Sequence, residues 1–426
     1  MKKVLILAYF YPPCNLTAAR RAEAFAVYLN NFGYYPVVVT REWSNEINSP
    51  ADVLKDSGDK LTIVKNDDYE IHYLPYKSSF RDRLFVRFGK TKLKFLSKIF
   101  TIIGLVGQNY SNIFIPYSNL YKHSLKLIKS ESIDYAVITA NPFEIFKFGY
   151  LLNRKTGIKW IADYRDDWNT SELPEYRNRS FLIKKLESYY EKKWLANCSA
   201  VTTISDYYSS KLHYFLSKPV FTILNGFDFN SSFKQNSDFY PEFTIVYNGS
   251  LYDSQKIEIF LKGFVAALDS LNSLGLKLLF PGLAFNPQQA ERVRCLLLGY
   301  ENNYRITDRV PFKEVIDMQS KSHLMLMVPH TGIKGIPSSK LYEYVGLGKQ
   351  VLLSPSDKDI IENTLLDCKL GHIYDNIEDI KDFLINSVNN KLEWEARDIT
   401  LLQQEAINKY SRIHQTKELA QILNKI

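Results

Sequence analysis

The sequence predicts an α/β protein built from two Rossmann-like, doubly wound domains. Three observations predict it. The chain has 426 residues, too many for one typical hydrophobic core. It opens with an apolar run, Val4 to Phe10, followed by a helix-period segment and a second apolar run, Val37 to Thr40, which together make a βαβ unit. Its second half repeats that design with a strand at Phe243 to Tyr247, a tight turn Asn248-Gly249-Ser250, a helix from Lys256 to about Leu271 and a strand at Leu276 to Phe280. The expected first domain covers residues 1–232 and the second 241–405, with the polar stretch Asn230 to Tyr240 between them.

Composition excludes several classes. Hydrophobic residues make up 46% and charged residues 23%, the balance of a folded globular chain. Cys14, Cys198, Cys295 and Cys368 are far apart and form no C-x-x-C pair, and the seven histidines are scattered. This spacing argues against a zinc or redox site, predicts no protein-ligated metal and fits a reduced cytoplasmic protein. Met1-Lys2-Lys3 and the apolar run after it imitate a signal peptide. The run is short, though, and Pro12-Pro13 follows where a cleavage site would stand. No apolar run reaches the roughly 18 residues that would span a bilayer.

In the first βαβ unit the loop Tyr11 to Leu16 leads to a helix with Thr17 at its cap. Ala18, Ala22, Phe25, Ala26 and Leu29 share one face, and Gly33 ends the helix. Arg20 on this helix can reach an anionic substrate or stand on the surface.

Between Lys77 and Lys98 there are eight basic residues, Lys77, Arg81, Arg83, Arg87, Lys90, Lys92, Lys94 and Lys98, against one acid, Asp82. Phe80, Phe85, Phe88, Phe95 and several leucines are interleaved, and Ile99 to Val106 is almost wholly apolar. Basic residues mixed with aromatics and leucines suit a helix lying on an anionic membrane surface. A solvated basic helix is the alternative. No recognition motif accompanies the charge, so nucleic acid is not expected as a partner.

Asp134 to Thr139 reads as the next strand, with Ala140-Asn141-Pro142 as its turn and a helix from Phe143 to about Thr156. Lys159 to Asp163 begins another strand, which runs into Asp163-Tyr164-Arg165-Asp166-Asp167-Trp168. Charges at a strand end are costly to bury unless they pair or serve a ligand. Strands at Val201 to Ile204 and Phe221 to Leu224 follow, the latter before Asn225-Gly226-Phe227-Asp228.

The second domain is organised around Gly332 to Leu352. The strand Leu324 to Val328 breaks at Pro329 and Gly332 into a loop, and Ser338 or Ser339 caps a helix that carries Lys340 and Glu343. Amides at the helix start, the helix dipole and the Lys340 charge together favour an anion there. An ordinary βα turn with a surface lysine is the bland reading.

The pattern Pro-Ser-Ser-Lys-Leu-Tyr-Glu-Tyr-x-x-x-Gly-Lys-x-Val-Leu resembles the donor-binding segment of retaining glycosyltransferases of family 4, which have the GT-B fold of two Rossmann-like domains facing across a cleft. Asp163 to Trp168, Asn225 to Asp228, Tyr247 to Ser250 and the first loop are similar to motifs of the same family. The resemblance implies a nucleotide-diphosphate-sugar donor, held by Ile336, Pro337, Ser338, Ser339 and Lys340 at the diphosphate and by Glu343 at the ribose. Gly249 and Ser250 form a close-approach turn in this scheme, Lys256 a phosphate-binding cation, and Val310 part of the backbone that holds the nucleobase. Asp163, Arg165 and Asp166 carry over as acceptor-side or cleft-ordering residues; a purely structural Arg-Asp pair is the rival. Asn15, Thr17 and Arg20 fall in the acceptor loop. Two departures stand out. Gly335 occupies the position of a Glu that often contacts the donor sugar, and Asn141 is the polar residue in a turn where many members have a histidine.

The family also implies that a final helix, about 406–426, crosses back to the first domain. The expected function is metal-independent and cofactor-free transfer of a sugar, with retention, to a lipid-linked glycan during surface-polysaccharide assembly. The protein would work peripherally on the inner face of the membrane. A nucleotide-sugar 2-epimerase of the same fold and a non-catalytic scaffold in a membrane assembly complex are the alternatives.

Overall fold

The first unit is laid out around β1 (Lys2–Ala8), which pairs in parallel with β2 (Tyr34–Arg41) on one side and with β5 (Ile133–Ala140) on the other. A computed structural model gives the fold and describes residues 1–43, 47, 52–80, 82–83, 94–228 and 238–426. Alternate β1 side chains enter different cores. Leu5 and Leu7 pack with Val37, Val39, Ala136 and Ile138, whereas Val4, Ile6 and Ala8 pack with Val38, Val137 and Ile161. A central strand buried on both faces reads as a continuous apolar run, as this one does.

The sheet order is β3-β4-β2-β1-β5-β6-β7-β8, where β3 is Thr62–Lys65, β4 Glu70–Leu74, β6 Lys159–Tyr164, β7 Ala200–Thr203 and β8 Val220–Thr222. All pairings are parallel except β3 with β4, which closes one edge as an antiparallel strand. Helix α1 (Ala18–Tyr28) follows the first loop. Thr17 stands at its cap position in helical conformation and its side chain makes no capping hydrogen bond, so the expected cap is not formed. The segment after Asn141 begins as a short 3-10 turn, Phe143–Ile145, before α3 (Phe146–Thr156); α2 (Lys94–Tyr110) lies earlier, and a helix at Ser118–Ser130 stands between α2 and β5.

The second unit has six described strands, all parallel, in the order β11-β10-β9-β12-β13-β14. These are β9 (Phe243–Val246), β10 (Leu276–Phe280), β11 (Tyr304–Ile306), β12 (Leu324–Met327), β13 (Val351–Leu353) and β14 (Gly371–Ile373). Its core joins Phe243, Ile245, Leu278, Phe280, Leu324, Leu326 and Leu352 to helix residues such as Phe260, Phe264 and Leu384.

The chain divides at Leu224/Asn225, earlier than residue 232, and the last segment of the first unit is Gln415–Ile426 rather than 406–426. Local pairing explains both shifts. Phe227 exchanges backbone hydrogen bonds with Tyr410 (3.1 Å) and Arg412 (2.8 Å), which holds both stretches in the second unit. Beyond Gln415, Leu419, Ile422 and Leu423 pack into the first unit's core beside Val4 and Phe25. The linker expected at Asn230 to Tyr240 lies mostly outside the described residues.

Candidate functional site

In each unit one strand has neighbours that leave it in opposite directions, and the loops at the carboxyl ends of those strands border the natural ligand crevice. In the second unit that switch point lies between β9 and β12. The β9 strand delivers Tyr247, Asn248, Gly249 and Ser250 there. The β12 strand delivers the loop to α4 (Ser339–Gly346).

The turn after β9 is set by Gly249. Its amide donates to the Pro281 carbonyl (2.8 Å), and its φ of +79° is one that a side-chain-bearing residue adopts only under strain. Lys340 Cε would lie 3.5 Å from a Cβ at this glycine, so Gly249 and Lys340 are packed together.

Lys340 Nζ donates to the Ser250 carbonyl (3.0 Å) and lies 4.1 Å from the centre of the Tyr247 ring. Part of the residue is open to solvent, but the ammonium end is enclosed, and desolvation lowers its pKa to about 8. The ring face offsets some of that cost. Tyr247 itself is buried, with its hydroxyl between the Ser250 carbonyl (3.0 Å) and Gln255 Oε1 (3.3 Å).

Glu343 lies one turn along α4. Desolvation raises its pKa, against the opposing pull of Gln319, Lys340, Arg412 and Asn248, and Asn248 Nδ2 approaches its carboxylate at 3.5 Å. Ser338 caps α4 by accepting from Lys340 N (3.3 Å). The helix ends at Gly346 with Leu347 as cap, and Gly348 follows in left-handed conformation (φ +65°) and stops it. Ile336 and Ser339 are half-buried and Pro337 is buried in the same segment. The structure therefore brings Gly249, Ser250, Lys340 and Glu343 together.

The other expected donor residues are Lys256 and Val310. Lys256 is exposed in the turn before the helix Glu258–Ser270, which starts two residues later than the sequence suggests. Val310 is half-buried in the loop after β11, next to Arg309, whose guanidinium stacks 3.7 Å from the Phe285 ring centre.

The first unit corrects the reading of Asp163. This residue is fully buried and its oxygens are taken up by Arg21 (2.7 to 3.1 Å), Thr139 Oγ1 (2.5 Å) and Thr202 Oγ1 (2.7 Å). Desolvation alone would raise its pKa, but Arg21 and the two hydroxyls outweigh it and hold the carboxyl below its ordinary value. A carboxylate so enclosed orders strand ends and does not touch a substrate. Arg165 and Asp166 pair with each other at the end of β6, half-buried, while Arg165 Nε has no hydrogen-bond partner. The Arg165 amide reaches the Ala140 carbonyl (3.4 Å), so its turn adjoins that of half-buried Asn141.

Arg20 is exposed and pairs with Glu23 (3.2 Å); the residue in the unit's interior is its neighbour Arg21. Asn15 is exposed and accepts from Ile47 N (3.2 Å), and Thr17 is exposed. Sequence reasoning missed Arg21, although the signal was there: Arg21 falls on the same helical face as Ala18, Ala22 and Phe25. It also missed Glu191, fully buried beneath the β6 turn. Glu191 accepts from Tyr164 Oη (2.7 Å) and Asn169 Nδ2 (2.7 Å), and its pKa is raised by burial to about 7.

Among the described residues, no group of three or more His, Cys, Asp or Glu side chains is placed to hold a metal ion. No described helix is long and apolar enough to cross a membrane.

No protein-family model matches the sequence, and no curated protein matches it. Solved structures do. A glycosyltransferase from Rickettsia africae superposes with a TM-score of 0.62 at 14% identity, over 100% of this chain and 98% of that one. The catalytic domain of starch synthase IV from Arabidopsis thaliana, bound to ADP and acarbose, gives 0.61 at 10% identity over 100% and 99%. A sucrose-phosphate synthase from Thermosynechococcus elongatus gives 0.60 at 12% identity over 100% and 99%. The chain has the GT-B fold of these proteins.

Proposed function

We propose that the protein is a retaining glycosyltransferase similar to family 4. In this reading it moves a sugar from a nucleotide-diphosphate donor to a lipid-linked glycan in surface-polysaccharide assembly. The observation that carries the reading is the convergence of Gly249, Lys340 and Glu343 at the switch point of the second unit. A GT-B neighbour bound to ADP and acarbose supports a nucleotide donor.

The chemical task is to stabilise negative charge growing on the leaving diphosphate as the sugar becomes oxocarbenium-like. Amides of the loop before α4, the dipole of that helix and the Lys340 ammonium are fixed before the reaction begins, so little reorganisation opposes them. Glu343 is placed one turn further on, where a carboxylate can accept from ribose hydroxyls. In the first unit, Arg165, Asp166 and Asn141 border the carboxyl ends of β5 and β6 and form the acceptor side.

The membrane part of the reading rests on α2. Ile102, Ile103, Val106 and Tyr110 on this helix are exposed, by 52%, 49%, 42% and 82%, and Ile113 and Phe114 continue the apolar surface. Its carboxyl end is held by Lys147, which donates to the Gln108 carbonyl, and by Lys193, which donates to Asn109 Oδ1 (2.8 Å). The helix is thus anchored at one end while it presents apolar side chains outward. Most of the basic stretch before it, 84–93 with Arg81, lies outside the described residues. We place the protein on the cytoplasmic face of an anionic membrane.

A panel of nucleotide-diphosphate sugars, screened by thermal stabilisation and then used as labelled donors with membrane lipid extract, tests the reading. A bound donor at 100 times its Kd adds about 2.7 kcal/mol to stability. The expected result is stabilisation by one donor class and label appearing in lipid with the anomeric configuration retained. Label recovered as an epimerised nucleotide sugar would identify an epimerase, and absence of binding by every donor would overturn the reading.

A further inference from the structure

We infer that Asp359 is a competing anion built into the donor site: its carboxylate holds a loop amide when the site is empty and gives it up to the incoming diphosphate donor. The inference rests on the donor reading above. Gly335 lies in the loop between β12 and α4, buried, with φ +75°. Its amide donates to Asp359 Oδ2 at 2.5 Å, across 24 positions of sequence.

Asp359 stands at the cap position of the helix Ile360–Asp367, where an aspartate ordinarily accepts from its own helix. It makes no such bond. Asp357 performs that task instead, accepting from Ile361 N (2.8 Å) and Glu362 N (3.0 Å). The helix is capped without Asp359, so the Asp359 contact to Gly335 is not a by-product of capping.

The amide that Asp359 holds belongs to the loop that leads into α4. The start of α4 carries the positive end of a helix dipole, and the Lys340 cation follows directly. One amide hydrogen shared between two anions binds each more weakly, and two like charges close together in a partly desolvated loop repel. Donor binding must therefore displace Asp359 or work against its charge. The same contact re-forms as the diphosphate product departs, which speeds release of an otherwise tightly held anion.

Calorimetry on the full chain tests this, with ADP, GDP, UDP and dTDP as probes beside their parent nucleosides. Asp359→Asn removes the charge and keeps an acceptor oxygen; Asp359→Ala removes both. If Asp359 competes, both variants bind the preferred diphosphate about fivefold or more tightly than wild type, while the nucleoside is bound equally by all three proteins. Weaker diphosphate binding by Asp359→Ala with wild-type binding by Asp359→Asn would make the residue a loop clamp and overturn the inference, with the donor reading intact. Unchanged binding by both variants would overturn it as well. Failure of every diphosphate to bind any of the three proteins would remove the donor reading and this inference together.

Discussion

Arg21 and Asp163, 142 positions apart, form a two-pronged ion pair inside the first unit, with Arg21 Nε and Nη2 on the two carboxylate oxygens. Arg21 Nη1 donates further to the carbonyls of Ile223 (2.9 Å) and Leu224 (3.0 Å). One side-chain pair therefore links α1, the end of β6 and the strand-end segment that closes the unit, while Thr139 and Thr202 tie in β5 and β7.

Removing either partner leaves the other charge buried and unpaired. We expect Arg21→Ala and Asp163→Ala each to destabilise the first unit by about 3–5 kcal/mol in urea unfolding. Arg20→Ala, one residue away but exposed, should change stability by no more than about 0.5 kcal/mol. Equal effects at positions 20 and 21 would refute the assignment.

Lys340 has a pKa lowered by desolvation to about 8, and in the proposed reaction its protonated form is the one that stabilises a leaving diphosphate. The charge is present below that value and lost above it. Donor kcat/KM should therefore fall as pH rises through about 8, because this parameter reports the free enzyme. Lys340→Arg keeps its charge through that range and should lose this alkaline limb, and Lys340→Ala should lower the rate roughly 100- to 1,000-fold. An alkaline limb unchanged in Lys340→Arg would assign the titration to another group.

Glu191 tests a stability effect of the opposite kind. Burial raises its folded pKa to about 7 from 4.5, so between these values the folded protein keeps a proton that the unfolded chain has released. Its contribution is fully present below pH 4.5 and is lost as pH rises through 7, roughly 3 kcal/mol in all. Glu191→Gln stays neutral throughout. Melting of wild type should fall between pH 5 and pH 8 by more than melting of the variant, and parallel curves would count against the assignment.

Vesicle flotation tests the α2 surface. Wild type should float with anionic liposomes at low salt and detach as salt screens the basic residues over about 8 Å at physiological strength. Replacing Arg81, Arg83, Arg87 and Lys90 by Ser should abolish flotation, and replacing Ile102, Ile103 and Val106 by Ser should weaken it even at low salt. If these proteins and wild type float alike, or none floats, α2 has no membrane role.

The strand-loop-helix segment of the second unit was legible because its signals are local. Strand, glycine-bearing loop, serine cap and helix follow one another within Leu324 to Gly348, and the helix period turns Leu341, Tyr344 and Val345 into the core. The edge strand β3 and its neighbour β4 were not legible. The first is exposed at every residue and so shows no buried face to read. The choice between Arg20 and Arg21 turned on helical phase, which the alanine face of α1 contained.

The sequence by itself determined the two-unit αβ architecture, its central strands and the place of the glycine-bearing loop before α4, because hydrophobic period and turn chemistry act over a few residues. Only the tertiary structure decided which charges are free to act. Asp163 is consumed by Arg21 from 142 positions away, Lys340 is held by Ser250 from 90 positions away, and Gly335 is occupied by Asp359 from another loop. Desolvation and pairing set the chemistry of a charged group, and both depend on neighbours that the sheet brings together and the linear sequence leaves apart.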